Sequence, residues 1–159
     1  MTVNQKVYDP VMHATLAVIT TVHRALYKVT RGHAGRRFPG GGHVVWLTVI
    51  GRRSGEPRTV PLLGVPDGES PGTSWVITGS NGGQHRPPAW VHNARANPDG
   101  QLEVNGERFE VRVEEVLDEA ERARLYGLLT RRWKGYTSYA RRAGRTIPVF
   151  RLHRAPGGD

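Results

Sequence analysis

VVWLTVIGRRSGEPRTVPLLGV, residues 44–65, decides the fold. Val44 to Ile50 is a nearly continuous run of β-branched and apolar residues, the composition of a buried strand. Gly51 to Arg58 interrupts it with two glycines, a serine and a proline, so the chain turns. Thr59 to Val65 is apolar again and predicts a second strand. Pro61 marks an edge or a bulge in it, because proline has no N–H to give to a ladder.

The same alternation of short strands and turns continues outward. Residues 66–72 read as a hairpin-type loop and residues 74–79 as a third strand. QLEV, residues 101–104, leads into Asn105-Gly106, a strong short hairpin signal. In the following arm Phe109, Val111 and Val113 alternate with Glu110, Arg112 and Glu114, which leaves one face wet. A last strand lies around Ile147 to Leu152. Short, evenly spaced strands predict an antiparallel sheet or barrel.

Helices fill the gaps. Met12, Leu16, Ile19, Val22 or His23, Leu26 and Val29 recur at helical steps, with Pro10 suited to the first turn and Gly32 to the stop. Residues 1–9 read as loose and residues 32–43 as a basic, glycine-rich loop. A short helix is expected within residues 87–100. Asp118 caps another that runs to about Trp133, with Ala120, Ala123, Leu125, Leu128 and Leu129 as its apolar positions. The expected fold is α+β, mainly β: a small, partly open barrel of about six antiparallel strands with peripheral helices. Residues 1–31 form an amphipathic helical segment and residues 32–159 the barrel, one domain overall.

Composition narrows the chemistry. With no cysteine among 159 residues, neither a disulfide nor a thiolate metal site is possible. His85 and His92 flank a Pro-Pro break and do not share a helical face, so no metal site is expected. No G-x-S-x-G elbow, P-loop, dinucleotide fingerprint or pair of catalytic acids is legible. No secretory leader is recognisable, and no run of about 18 apolar residues exists to span a bilayer. A cytoplasmic protein is the expectation. The helical start, residues 10–30, suits either docking on the domain's own core or a peripheral membrane contact. Lys plus Arg is 23 against 14 for Asp plus Glu, a net +9 that favours an anionic partner. Lys6, Lys28 and Lys134 are the lysines; the remaining basic residues are arginines, whose planar fork suits phosphate and carboxylate.

Three stretches carry candidate chemistry. Arg52, Arg53, Ser54 and Arg58 occupy the turn between the first two strands, where they form either a solvated basic hairpin or a holder for phosphate or carboxylate. SNGGQHRPPAW, residues 80–90, leaves a strand and enters a helix. The amides of Ser80, Asn81, Gly82 and Gly83, with the free N–H groups of the helix start, can point at one anion, with Trp90 as a wall; a capped turn with a core tryptophan is the alternative. In RWKGYTSYA, Trp133, Tyr136 and Tyr139 step by three and would share one helix face, as core packing or as the wall of an apolar pocket.

As an ordered set, LTVIGRRSGEPRTVPLL (47–63), ITGSNGGQHRPPAWVHNARANP (77–98) and the late Tyr136/Tyr139 pair with RTIPVF (145–150) resemble the deazaflavin-dependent nitroreductase family. These are small oxidoreductases that bind coenzyme F420 on a split, FMN-binding-like β-barrel. The resemblance runs from about Val22 to Leu152. It implies that Arg52, Arg53, Ser54 and Arg58, with Pro61 beyond them, hold the anionic arm of F420. Ser80, Asn81, Gly82 and Gly83 would lie by the deazaflavin, with Ala89 and Trp90 flanking it. Trp133, Tyr136 and Tyr139 would line the substrate side, and Tyr136, Tyr139 and Ser80 would hydrogen-bond the acceptor during hydride transfer from reduced F420. Two positions depart from the family pattern: Asn81 stands where lysine is frequent, and Trp133 where a tyrosine is expected. Quinones, enones and nitro compounds are the implied acceptors. An FMN-binding oxidoreductase of the same barrel, a non-catalytic F420 carrier and a basic nucleic-acid-binding module are the alternatives; no nucleic acid is expected, and the oligomeric state is left open.

Overall fold

The computed structural model describes residues 5–29, 41–68 and 74–155. Six strands, β1 (His43–Ile50), β2 (Pro57–Pro66), β3 (Ser74–Thr78), β4 (Asp99–Val104), β5 (Glu107–Glu115) and β6 (Val149–Arg154), close into an antiparallel barrel in the order β1-β2-β3-β6-β5-β4. The β1–β4 ladder, from Val45 opposite Val104 to Val49 opposite Gly100, completes the ring. The partly open barrel expected from sequence is therefore closed. Its thinnest seam joins β2 to β3 through only two residue pairs, Val65 with Val76 and Pro66 with Trp75. Pro61 faces Trp46 of β1 on the stretch of β2 that has no second neighbour in β3, as the edge position expected for a proline.

The strand period of two sorts the side chains. Val45, Leu47 and Val49 of β1, Leu102 and Val104 of β4, Val111 and Val113 of β5 and Phe150 and Leu152 of β6 turn inward to one buried cluster. Each such aliphatic side chain contributes on the order of 2 kcal/mol when fully buried. Helix α2 (Ala89–Ala96) adds Trp90, Val91 and Ala94 to that cluster, and the Trp90 and Phe150 rings meet at 5.1 Å. The Asn105-Gly106 hairpin takes positive φ at both residues, 54° and 88°, as a two-residue turn between twisted strands demands.

A second layer lies outside the barrel. Leu125 and Leu129 of α3 (Glu119–Arg132) and Tyr136 of α4 (Gly135–Ala143) pack on Leu63, Val65, Val76 and Val149. Asp118 caps α3 as expected, accepting the Glu121 N–H at 2.8 Å. Ala120 and Ala123, expected on its apolar face, are exposed. Trp133 is not on the tyrosines' helix face: it is the C-cap of α3 at φ −140°, in the break before α4.

Helix α1 (Gln5–Val29) begins five residues before Pro10, so Pro10 sits inside it rather than in its first turn. Proline there forfeits one helical hydrogen bond. Tyr8 and Asp9 give the added turn its anchorage: the Tyr8 hydroxyl donates to the Gly82 carbonyl, and the Asp9 carboxylate accepts the His85 N–H at 3.2 Å. Val11, Val18 and Val22 are 60–63% exposed. The side chains of Leu16, Ile19, His23, Leu26 and Val29, and the loop expected at 32–43 up to Gly40, lie outside the described residues. No helix among the described residues is long and apolar enough to cross a membrane.

Ion pairs staple α3 to the barrel. Asp67, just past β2, accepts Arg151 of β6 at 2.7 Å and Arg124 of α3 at 3.0 Å; Glu121 accepts both arginines in turn. Hydrogen bonds first from Arg124 and then from Arg151 hold the Glu121 carboxyl down at about 2, against an ordinary 4.5. A depressed folded-state pKa means stabilisation that is complete above the unfolded value and disappears as pH falls through the folded one. Acid titration of thermal stability should therefore separate Glu121→Gln from the parent at neutral pH and bring the two together towards pH ~2. A constant gap across that range would contradict the linkage.

Candidate functional site

Two arrangements of polar groups stand at the same end of the fold as α2. One is a groove of about 510 Å³ between the β1–β2 turn and α2. Arg52, Arg53, Ser54 and Arg58 line one wall, and Ala89 and Trp90 the other. Gly55 reverses the turn at φ 70°, and the turn closes on itself through the Gly51 N–H to the Glu56 carbonyl at 2.8 Å. Asn93 of α2 fixes it from outside by accepting the Arg52 N–H at 3.1 Å. Arg58 donates to the Ser54 hydroxyl at 3.4 Å, and among the described residues none of the three arginines has a carboxylate partner. Three guanidinium groups without an ion-pair partner among the described residues, on one rim, are suited to an anion.

His92 and Asn93 also line this groove, and sequence reasoning did not assign them to it. Their spacing from Ala89 and Trp90 on one helix was the available signal. Pro61 is half-buried in β2 and does not line the groove, because the strand carries it past the rim into the ladder with β1. Trp90 meets both readings of it: it lines the groove, yet only 5% of it is exposed because its ring packs on Phe150.

The second arrangement is the turn from Ser80 to Gly83. Ser80 is right-handed, φ −69° and ψ −33°, and is followed by positive φ at Asn81 (50°), Gly82 (63°) and Gly83 (80°). A right-handed residue followed by a left-handed one directs consecutive N–H groups into one concavity, a nest for an electron-rich atom. The turn's carbonyls are occupied: Ser80 accepts Gly83 N–H at 2.9 Å, Asn81 accepts Gln84 N–H at 3.2 Å, and Gly82 accepts Tyr8. The amides of Ser80, Asn81 and Gly82 have no acceptor among the described residues. Asn81 uses its side chain to donate to the Arg86 carbonyl at 3.0 Å. Beside it Gln84, 5% exposed, keeps a buried Nε2 with no partner, a donor that sequence reasoning missed. A buried donor left without a partner costs about 1–3 kcal/mol.

Helix α4 packs directly on this turn: a Cβ at Gly83 would come within 3.0 Å of the Tyr139 backbone. Tyr136 and Tyr139 meet edge to face at 5.6 Å, Tyr126 stacks on Tyr136 at 5.8 Å, and the Trp133 indole donates to the Tyr139 hydroxyl at 3.4 Å. The structure thus gathers Trp133, Tyr136 and Tyr139 despite the helix break, but as a cluster of their own and not as an extension of the groove wall. Tyr136 is 6% exposed, with the Ser80 side chain beside its phenol. Burial, then the neighbouring Tyr139 and Tyr126, push its phenol above 10. It is held as a neutral, protonated group throughout the physiological range.

Comparison with known proteins converges on one family. The family model of F420H2-dependent quinone reductases matches residues 19–154. The F420H2-dependent quinone reductases of two Mycobacterium tuberculosis strains are 36% identical over 135 residues, covering 84% of this chain and 88% of theirs. A solved F420H2-dependent reductase, FDR-A, superposes with a TM-score of 0.61 at 28% identity over 69% of this chain and 93% of its own. A domain-swapped dimer superposes with a TM-score of 0.65 at 26% identity, over 84% and 94%. On the family match over residues 19–154 and the 36% identity to these relatives, this chain belongs to the F420H2-dependent quinone reductase family.

Proposed function

We propose that the groove and the nest together form one F420 site, from which the chain reduces a quinone or a similarly electron-poor acceptor. As a family member the chain is an F420-dependent oxidoreductase. The observation that carries the site assignment is the run of arginines without a carboxylate partner among the described residues, Arg52, Arg53 and Arg58, along one rim of an open groove. F420 bears a phosphate and carboxylates on a flexible arm, the partner that such a rim is short of. The residues present fit the rest of the cofactor too: Ala89 and Trp90 offer an apolar wall, and the amides of Ser80, Asn81 and Gly82 offer donors without acceptors.

When bound in its reduced form, F420 supplies a hydride to the acceptor. The chain's own contribution is binding, orientation and electrostatics. The arginine rim holds the arm by charge-assisted hydrogen bonds. The nest amides are preorganised donors, fixed before any ligand arrives. Tyr136 holds its proton on a phenol buried against Ser80 and is the group we assign to donate a hydrogen bond to the reduced acceptor; Tyr139 and Trp133 shape the apolar side next to it. A quinone suits that side because it is flat and apolar and accepts hydrogen bonds through two oxygens.

The arm assignment is tested by titrating the protein with oxidised F420. Arg53→Ala and Arg58→Ala should each weaken binding by about tenfold at low salt, and the remaining affinity should depend less on ionic strength. Unchanged affinity in both variants removes the arm from this groove, and tighter binding of FMN than of F420 would move the site to a flavin. Tyr136→Phe should lower turnover with a simple naphthoquinone by on the order of tenfold or more, with F420 affinity nearly unchanged. Because the Tyr136 pKa is raised, it should add no deprotonation limb to the pH–rate profile below pH 10. A limb near neutral pH that disappears in Tyr136→Phe would refute the assignment.

A further inference from the structure

The nest depends on which way two peptide planes face, and one side chain sets both. Arg145 lies just past α4, after Gly144 has ended the helix in the left-handed conformation at φ 59°. From there its guanidinium reaches the carbonyls of Gly79 at 3.1 Å and Ser80 at 3.3 Å through one terminal nitrogen, and that of Gln84 at 3.3 Å through Nε. The same terminal nitrogen lies 3.5 Å from the Arg86 carbonyl. Among the described residues no acidic side chain is hydrogen-bonded to it. Sequence reasoning assigned Arg145 no role beyond its place in RTIPVF.

The consequence follows from peptide geometry. No cis peptide occurs among the described residues, and in a trans peptide the carbonyl of one residue and the N–H of the next point to opposite sides. Gripping the Gly79 and Ser80 carbonyls therefore turns the N–H groups of Ser80 and Asn81 away from Arg145. These are two of the three amides that lack an acceptor. The positive φ values at Asn81 and Gly82 add the third to the same concavity. The guanidinium charge sits behind the nest and the donors face forward, so the arginine both aims the amides and makes them more electropositive. Asn81 suits the place, since asparagine tolerates left-handed backbone better than other residues with side chains.

We propose that Arg145 is a positioning residue for the cofactor: it holds the Ser80–Gly82 amides in the orientation that takes an electron-rich edge of the deazaflavin. The proposal rests on the F420 reading of the site. It assigns Arg145 no contact with cofactor or substrate.

Amide hydrogen exchange with and without oxidised F420 tests it apart from turnover. In the parent protein F420 should slow exchange at residues 80–82 and also at residues 52–58. In Arg145→Met the protection at 80–82 should fall by about tenfold, while that at 52–58 persists and the melting temperature moves by only a few degrees. Turnover with reduced F420 and a naphthoquinone should fall by about tenfold or more, with the quinone KM within about twofold. Arg145→Lys keeps the charge but loses the fork, so it should recover only part of the protection and rate. It also carries the comparison if Arg145→Met does not fold. Arg141→Met, at an exposed arginine in the last turn of α4, should behave as the parent. Retained protection and rate in both Arg145 variants overturn the proposal, as does parallel loss of protection at 52–58 and of melting temperature, which marks a general structural role. A parent protein protected at 52–58 but not at 80–82 overturns the nest alone. One protected at neither overturns the cofactor reading and the proposal with it.

Discussion

Closure of the barrel through β1 and β4 is the constraint on which everything else rests. Once Val45–Val49 pair with Gly100–Val104, every strand has a neighbour on each side over at least part of its length, and the alternation along each strand has one inside and one outside. The inside is small and is filled by aliphatic residues together with Trp75 and Phe150, with α2 plugging its end. A filled interior has no room for a ligand. The binding groups are pushed to the rim, where the β1–β2 turn, the turn after β3 and α2 meet.

That division explains what could be read from sequence. Strands were legible because β-branched runs and strict alternation have few other uses: Val44 to Ile50 and Phe109 to Val113 could hardly be anything else. The hairpin at Asn105-Gly106 and the cap at Asp118 were legible because each depends on a few adjacent residues. The start of α1 was not. Pro10 looked like a first-turn residue, and the turn before it is held by contacts from Tyr8 and Asp9 to residues more than seventy positions away. Local sequence carries no trace of such contacts.

The candidate site divides the same way. The basic turn and the glycine turn could be found because composition alone marks them. What holds them could not. Asn93 and Arg145 act through backbone atoms, and a backbone N–H or carbonyl has the same chemistry whichever residue bears it, so no motif advertises the partner. Gln84 was hidden for the opposite reason: an exposed turn and a buried one read alike until burial is known, and only burial makes its free Nε2 notable. The expectation for Trp133, Tyr136 and Tyr139 was right in grouping them and wrong in the device. Helical periodicity joins the two tyrosines, whereas the break after α3 swings Trp133 in from outside the helix.

The arginines show how one residue type is put to two uses. Arg95 with Glu115, Arg112 with Asp99, and Arg124 and Arg151 with Asp67 and Glu121 are matched to carboxylates and tie elements together. Arg52, Arg53 and Arg58 are left without such partners, within seven residues of one another, on a turn stiff enough to hold them there. Like charges so close repel, and a fold gains nothing from them by itself. The cost is modest because they are exposed and screened. It is offset only when an anion arrives, and the more charges that anion spreads along the rim the greater the offset. On the proposed reading the fold separates two demands, with arginines for the charged arm of F420 and oriented amides for its ring.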